Sequence, residues 1–216
     1  MNILSPSILS ADFTVLGDEL KAIDEAGSEY IHIDVMDGIF VPSISYGMPV
    51  IKSIRKATKK VFDVHLMITE PERYINEFVE SGADIITFHV EATEDAGKVI
   101  DMIHEKGLKA GISVKPKTPL EAIEPFLEKI DMLLIMSVEP GFGGQAYIEG
   151  STEKIRKARE MVNAHGLKTD IQVDGGINLQ NLPEVLEAGA NIIVAGSSVF
   201  KGDVAANVQE FLNIMK

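Results

Sequence analysis

The sequence contains no cysteine, so the chain forms no disulfide and uses no thiol in catalysis or metal binding. Basic residues are scarce: 20 Lys and Arg stand against 33 Asp and Glu, and the formal net charge is -13. A surface this acidic repels nucleic acids and anionic membranes, so we expect no nucleic-acid and no membrane partner. No apolar run is long enough to span a bilayer, and no basic segment precedes an apolar run at the N-terminus. These absences predict a cytoplasmic location.

Short apolar runs alternate with longer amphipathic stretches along the whole chain. Hydrophobic residues make up 45% of the sequence, which is enough for one sizeable core. The apolar runs predict strands at residues 3–9, 30–36, 61–67, 84–89, 108–114, 131–137, 169–174 and 191–195. The amphipathic stretches predict helices at residues 13–25, 47–57, 71–81, 95–106, 119–128, 150–165, 179–188 and 204–215. Several helices are followed by a glycine, where a left-handed helix end is expected: Gly27, Gly82, Gly107, Gly166 and Gly189.

Eight strand–helix units at even spacing are typical of a closed (β/α)8 TIM barrel. We expect residues 1–216 to form a single barrel domain, with a doubly wound open sheet as the alternative. The active sites of such barrels lie at the carboxyl ends of the strands and in the loops that follow them. The polar residues at those ends are therefore candidates for chemistry: Ser7, His32, Asp34, His65, His89, Ser137, Asp174, Gly196 and Ser197.

Two imidazoles and two carboxylates stand at this predicted rim. His32 and Asp34 are two residues apart and share one face of their strand, while His65 and Asp174 belong to two other strands. This mixed nitrogen and oxygen set suits one divalent zinc, iron, manganese or cobalt ion, with a position left open for substrate. The sequence therefore predicts one divalent metal ion per subunit, without identifying the metal.

Asp34 and Asp174 sit on the second and seventh strands, which lie nearly across an eight-strand ring from one another. Two carboxylates on opposite faces of a substrate carbon can remove a proton from one face and return it to the other. A metal-held ketone beside that carbon would acidify its C–H bond, which predicts epimerisation through an enediolate. Asp37 is a rival to Asp34, but it stands beyond the strand in an Asp-Gly turn, where loop capping is the commoner role.

Three glycine-rich loops, at residues 139–145, 174–177 and 195–198, follow the sixth, seventh and eighth strands. Glycines free backbone amides, and such loops before helix N-termini bind phosphate in barrels. No Arg lies in these loops, so we expect amides and helix dipoles rather than ion pairs to hold a phosphate. Met36, Met67 and Met136 also lie near strand ends, where they either pack in the core or form a polarizable lid over a planar enediolate.

Together these stretches resemble the ribulose-phosphate 3-epimerase family of the pentose phosphate pathway. The resemblance covers essentially the whole chain, and the order of its motifs is highly specific. It includes His-Ile-Asp-Val-Met-Asp-Gly at 32–38, Asp-Val-His-Leu-Met at 63–67 and Val-Asp-Gly-Gly-Ile at 173–177. The other matching stretches are residues 5–13, 40–42, 89–92, 138–145 and 195–198.

The resemblance implies a ribulose-phosphate-binding barrel that interconverts D-ribulose 5-phosphate and D-xylulose 5-phosphate. It implies that Asp34 and Asp174 are the acid/base pair and that Ser7 and His65 contact the substrate. It also supports a lid made of the three methionines. The implied metal ligands are His32, Asp34, His65 and Asp174. The implied contacts to the phosphate end are Gly141, Phe142, Gly143, Gly144, Gly175, Gly176, Gly196 and Ser197.

Two positions depart from the usual pattern of this family, since Ile39 stands where His is frequent and Ser43 where Asn is usual. A 3-epimerase of a related ketose phosphate such as allulose 6-phosphate is therefore the alternative for substrate. A lyase or decarboxylase on the same barrel would need a Lys at a strand end, for which Lys115 is the near candidate. A catalytically silent barrel would not require both carboxylates beside two histidines. We also expect a homo-oligomer, because barrels of this kind often associate.

Overall fold

The computed structural model describes all 216 residues and contains eight strands in one parallel sheet. The strands are β1 (Ile3–Pro6), β2 (Tyr30–Met36), β3 (Val61–Met67), β4 (Ile85–His89), β5 (Lys109–Val114), β6 (Met132–Met136), β7 (Asp170–Asp174) and β8 (Ile192–Ala195). The helices are α1 (Leu16–Glu25), α2 (Met48–Ile54), α3 (Ile75–Glu80), α4 (Ala96–Glu105), α5 (Ser151–Ala164), α6 (Leu182–Glu187), α7 (Ser197–Phe200) and α8 (Val204–Ile214).

The sheet closes into a barrel, as predicted. Hydrogen-bonded neighbours run in the order β1-β8-β7-β6-β5-β4-β3-β2, and a parallel bridge between Ser7 and His32 joins the two ends. A doubly wound sheet would have two open edges, so that alternative is wrong. No helix of the structure has the length and apolar composition needed to cross a membrane.

Burial on both faces explains why the strands read as apolar runs. All seven residues of β2 are buried, and its outward side chains Ile31, Ile33 and Val35 join a core cluster of 49 buried residues. The inside of the barrel is filled by apolar side chains at the amino-terminal ends of the strands. There one apolar layer comes from four alternate strands, and it consists of Tyr30, Ile85, Met132 and Ile192. Above this layer, the carboxyl half of the barrel interior holds buried polar side chains together with several methionines.

The glycines predicted at helix ends all adopt positive φ angles, between 67° and 109°, which side chains rarely tolerate. Two helices begin at an aspartate whose side chain caps the first turn, as expected for a short acidic residue. Asp95 accepts a hydrogen bond from the backbone N–H of Lys98 at 3.0 Å and caps α4. Asp203 accepts one from the N–H of Ala206 at 3.0 Å and caps α8.

The helix predicted at 119–128 is wrong, because the structure has two 3-10 turns there, Leu120–Ala122 and Glu124–Phe126. Pro125 lies inside the predicted helix, where it lacks the N–H that an α-helix needs and disfavours the helical region for the residue before it. The first strand is also shorter than predicted. It ends at Pro6, and Ser7 caps the 3-10 turn Ile8–Ser10 by accepting a bond from the N–H of Leu9.

Candidate active site

The register of β2 against β3 brings the polar side chains of the two strands together. His32 lies opposite Asp63, and Asp34 lies opposite His65. Because partners in a parallel pair point to the same face, all four side chains enter the barrel interior. His32, Asp63 and His65 are completely buried, and Asp34 is 3% exposed.

The structure brings the four predicted metal ligands into one cluster. One nitrogen or oxygen atom from each of His32, Asp34, His65 and Asp174 lies within 4.8 Å of the others. Asp34 Oδ1 is 3.2 Å from Nε2 of His32 and 3.0 Å from Nδ1 of His65. Asp174 Oδ2 is 3.7 Å from each of these nitrogens. The predicted convergence of the four side chains is thus present in the fold.

These residues fit a divalent metal ion. Nε2 of His32 is buried, faces both carboxylates and has no hydrogen-bond partner. An unpartnered buried nitrogen costs free energy, and a metal ion would relieve that cost. Two imidazoles and two carboxylates are donors that zinc, iron, manganese and cobalt all accept.

The electrostatics of the cluster couple histidine to carboxylate. Although burial lowers the pKa of His32, the carboxylates of Asp34 and Asp63 raise it well above its usual range. Burial likewise lowers the pKa of His65, but hydrogen bonds to Asp174 and Asp34 raise it. Burial raises the pKa of Asp34, but both histidines lower it far more, so Asp34 is ionised. A metal ion entering this cluster must displace protons from the imidazoles.

Asp63 is a buried carboxylate behind the cluster that the sequence reasoning did not single out. Its Oδ2 accepts hydrogen bonds from Nδ1 of His32 at 2.7 Å, from Oγ of Ser5 at 3.0 Å and from Nε2 of Gln172. A carboxylate that holds the far nitrogen of a metal-binding histidine fixes the orientation of the ring. The alternation of 63–67 could have indicated Asp63, since it shares an inward face with His65.

His89 does not join the four clustered ligands but lies behind one of them. Its Nε2 is 3.0 Å from Nε2 of His65, and its Nδ1 is 3.2 Å from Oε2 of Glu91. Burial lowers the pKa of His89 to about 4, in spite of the neighbouring carboxylate. Burial raises the pKa of Glu91, but hydrogen bonds from His89, Thr118 and Lys115 lower it to about 2. At neutral pH this pair is an uncharged imidazole beside a carboxylate.

A cavity of about 390 Å³ opens at the carboxyl ends of the strands. Asp34 and Asp174 line it, whereas His32 and His65 lie behind them and do not reach its surface. Ser7 also lines it and donates a hydrogen bond from Oγ to Asp34 Oδ2 at 2.5 Å. A contact between His65 and substrate stays a prediction.

The three methionines form apolar walls of this cavity. Met36 and Met67 pack together with Val41, and Met136 packs with Leu134 and Val138. Each methionine is at most 5% exposed, yet each lines the cavity beside the two aspartates. The same side chains therefore pack in the core and form part of the cavity wall.

The glycine-rich loops form the other end of the cavity. Gly176 has φ of 69°, and a Cβ there would lie 2.4 Å from the backbone nitrogen of Tyr147, so only glycine fits. A Cβ at Gly196 would lie 2.6 Å from Oγ of Ser10. The predicted phosphate contacts that line the cavity are Gly141, Phe142, Gly143, Gly144, Gly175, Gly176, Gly196 and Ser197. No Lys or Arg lines it, so its polar contacts are amides, hydroxyls and the two carboxylates.

The short helix α7 begins in this loop region, at Ser197, and was not predicted. Four residues carry too little periodicity to be read as a helix from sequence. The residues that depart from the family pattern, Ile39 and Ser43, do not line the cavity. Lys115 does not line it either, because its Nζ lies over the ring of Phe40, 3.9 Å from the centroid. The lysine that a lyase would need at the site is thus absent from the cavity wall.

Comparison with known sequences identifies the family to which this chain is similar. A sequence model of the Ribulose-phosphate 3 epimerase family matches residues 3–200. The chain is 53% identical over 200 residues to the ribulose-phosphate 3-epimerase of Synechocystis, a match that covers 92% of this chain and 87% of that protein. It is 47% identical to the ribulose-phosphate 3-epimerase of Bacillus subtilis, with 91% of each chain covered. It is 48% identical to the chloroplastic ribulose-5-phosphate-3-epimerase of Arabidopsis thaliana, covering 92% of this chain and 71% of that one.

Solved structures with low sequence identity share the fold. A 3-hexulose-6-phosphate synthase superposes with a TM-score of 0.73 at 18% identity, with 100% of both chains covered. A thiamine phosphate pyrophosphorylase from Pyrococcus furiosus superposes with a TM-score of 0.68 at 22% identity, with 99% and 95% covered. At these identities the likeness concerns the barrel and carries no argument about substrate.

Proposed function

The chain belongs to the ribulose-phosphate 3-epimerase family, and from this membership we propose that it interconverts D-ribulose 5-phosphate and D-xylulose 5-phosphate. The enzyme class, an isomerase that epimerises a sugar phosphate, follows from the family. We propose that residues 1–216 act as one catalytic barrel. The observation that carries the proposal is the pair of carboxylates, Asp34 and Asp174, that line one cavity beside two buried histidines.

The two carboxylates divide the proton transfer at C3 between them. One removes the C3 proton from one face of the sugar, and the other, protonated, returns a proton to the opposite face through an enediolate. The histidine neighbours lower the pKa of Asp34 in the metal-free site, and a divalent ion bound there would likewise favour the ionised form that a base needs. Its oxygens have separate partners, since Oδ1 faces the histidines and Oδ2 faces Ser7. One carboxylate can therefore serve the metal site with Oδ1 and the substrate with Oδ2.

The metal would be held by His32, Asp34, His65 and Asp174. A divalent ion bound there would polarise the substrate carbonyl and make the neighbouring C–H more acidic. The chain itself contributes the two proton-transfer groups and excludes water from them with apolar side chains. Met36, Met67 and Met136 wall the cavity next to the aspartates, where they would cover the planar enediolate as a lid.

The phosphate end of the substrate would lie at the loops that follow β6, β7 and β8. Gln145 braces the first of these loops, because its Nε2 donates to the carbonyls of Glu139 at 2.7 Å and Phe142 at 2.8 Å. Ser137 joins the first loop to the second by donating to the carbonyls of Asp174 at 2.9 Å and Gly175 at 2.6 Å. A loop held in place before binding loses less entropy when it holds a phosphate.

The expected homo-oligomer stays a prediction.

Exchange with solvent tests the proposed reaction. In D2O the protein, loaded with Zn²⁺, Fe²⁺, Mn²⁺ or Co²⁺ in turn, should incorporate deuterium at C3 of ribulose 5-phosphate, and a chelator should slow this. Asp174→Asn should abolish turnover while leaving thermal unfolding of the metal-free protein nearly unchanged, because the amide has nearly the same size and shape as the carboxylate and Asp174 lies outside the apolar core. No exchange with any of these metals would refute the epimerase, and full activity of the variant would refute the two-base scheme.

The rates on ribulose 5-phosphate and allulose 6-phosphate decide between the two candidate substrates. We expect the 5-phosphate to react faster, because the departures at Ile39 and Ser43 lie outside the cavity. A higher kcat/KM for allulose 6-phosphate would reverse the assignment without affecting the proton-transfer scheme.

A further inference from the structure

The ring of His65 contacts the imidazole of His89 on the side that faces away from the four clustered side chains. Its Nδ1 points into the cluster, 3.0 Å from Asp34 Oδ1 and 3.7 Å from Asp174 Oδ2. Its Nε2 lies 3.0 Å from Nε2 of His89, which is also completely buried. A hydrogen bond between two ring nitrogens requires one hydrogen and one lone pair, so the tautomers of the two rings depend on each other.

The carboxylate of Glu91 determines which ring nitrogen of His89 carries a hydrogen. Nδ1 of His89 is 3.2 Å from Oε2 of Glu91, and an ionised carboxylate only accepts, so Nδ1 of His89 carries a hydrogen. If Nε2 of His89 has the lone pair, it accepts from Nε2–H of His65. Nδ1 of His65 donates to Asp34 in the metal-free cluster, so a metal ion would displace the hydrogen on Nδ1, while Nε2 keeps the hydrogen that it shares with His89. Both hydrogen bonds are thus donated in the direction of Glu91: His65 donates to His89, and His89 donates to Glu91.

Neighbouring loops hold Glu91 and His89 in place. Oε1 of Glu91 accepts hydrogen bonds from the backbone N–H of Lys115, at 2.8 Å, and from Oγ1 of Thr118. The ring of Phe40 packs on His89 with their centroids 4.9 Å apart. The pair is therefore anchored by the loops that follow β2 and β5.

We propose that His89 and Glu91 are positioning residues that fix His65 as the Nε2–H tautomer, so that His65 binds metal through Nδ1. The inference rests on the metal site proposed above. His32 is arranged in the opposite way, because Asp63 accepts from its Nδ1 and Nε2 faces the cluster. The two histidine ligands thus use different ring nitrogens, each set by the group behind it.

The tautomers can be observed in the wild-type protein. Two-bond ¹H–¹⁵N correlation spectra of protein with ¹⁵N-labelled histidine distinguish protonated, unprotonated and Zn²⁺-bound ring nitrogens. With Zn²⁺ we expect His65 bound through Nδ1 and protonated on Nε2, and His89 protonated on Nδ1 alone. Zn²⁺ on Nε2 of His65, or a hydrogen on Nε2 of His89, would overturn this inference and leave the metal site standing. No Zn²⁺ binding at all would overturn both.

Two substitutions separate hydrogen-bond polarity from packing. In His89→Gln the amide oxygen can accept from His65 while its nitrogen donates to Glu91, which reproduces the polarity of the imidazole. His89→Leu fills the space without an acceptor. Loss of such an outer partner weakens metal binding by about 10- to 100-fold. We therefore expect that weakening of Zn²⁺ affinity in His89→Leu, measured by chelator competition, and a change of only a few-fold in His89→Gln.

His104 offers a matched control. It also pairs with a carboxylate, Asp131, at 3.0 Å, but this pair is exposed and lies outside the cavity. His104→Gln should leave Zn²⁺ affinity unchanged. Wild-type affinity in His89→Leu, or equal loss in both His89 variants, would contradict the proposal. The spectra of the wild-type protein decide the matter even where a variant folds poorly.

Discussion

Replacement of Asp63 tests how the barrel interior supports the metal ligands. The side chain is completely buried, and its Oδ2 alone accepts three hydrogen bonds, from His32, Ser5 and Gln172. Asp63→Ala leaves those donors unsatisfied and removes a buried negative charge beside an imidazole. Breaking one partner of a buried charged pair costs about 3–5 kcal/mol. For a chain of this length we therefore expect Tm to fall by roughly 6–20 °C.

Asp63→Asn isolates the charge from the hydrogen bonds. Oδ1 of Asp63 has no partner, so the amide nitrogen can take that position while the amide oxygen keeps all three donors. The variant loses the extra strength of bonds to a charged acceptor, about 1 kcal/mol. The order of stability should be wild type, then Asp63→Asn, then Asp63→Ala.

Chemical denaturation of the metal-free proteins measures these differences. Asp131→Asn is the control, because Asp131 pairs with His104 at 3.0 Å but is 40% exposed. Exposed pairs contribute little, so we expect a loss below about 1 kcal/mol. A loss below 1 kcal/mol in Asp63→Ala, or equal losses in both Asp63 variants, would refute the reasoning.

Two further predictions concern the phosphate loops and the metal site. Gly176→Ala should lose roughly 2 kcal/mol or more in denaturant unfolding and raise KM, because left-handed backbone costs about 1–2 kcal/mol and the new Cβ meets the backbone of Tyr147. Gly166→Ala has a similar φ of 67° and open space around it, so it should lose only the backbone part, and equal losses would contradict the contact. Zn²⁺ affinity of the metal-free protein should rise with pH, because the raised pKa of His32 means that a proton must leave before Nε2 binds. Calorimetry in buffers of different ionisation enthalpy should show that proton release, and affinity independent of pH would contradict it.

The strands and the inward ligands could be predicted from the sequence because period-2 alternation fixes which side chains enter the barrel. His32 and Asp34 share a face on any extended strand, and fold class alone then brings His65 and Asp174 to the same rim. The outer partners could not be predicted in this way. The bond from His32 to Asp63 depends on the register of β2 against β3, and the one from His65 to His89 depends on ring orientation.

The helix predicted at 119–128 is wrong for a local reason rather than a tertiary one. Apolar spacing favours a helix there, but Pro125 removes a donor inside it and the local backbone decides the outcome. The short helix α7 escaped prediction because a single turn depends on tertiary packing rather than on periodicity.

The lack of Lys and Arg around the cavity determines how substrate capture responds to ionic strength. Most sites for phosphate esters attract their ligand with cationic side chains, and added salt slows that attraction. Here the chain carries a net charge of -13, and no cationic side chain lines the cavity to offset it. The long-range field of the chain therefore repels a doubly charged sugar phosphate, and at the phosphate site that we propose the phosphate would be held by short-range amide contacts. Salt screens the repulsion but scarcely weakens those contacts, so moderate salt should speed association with the substrate.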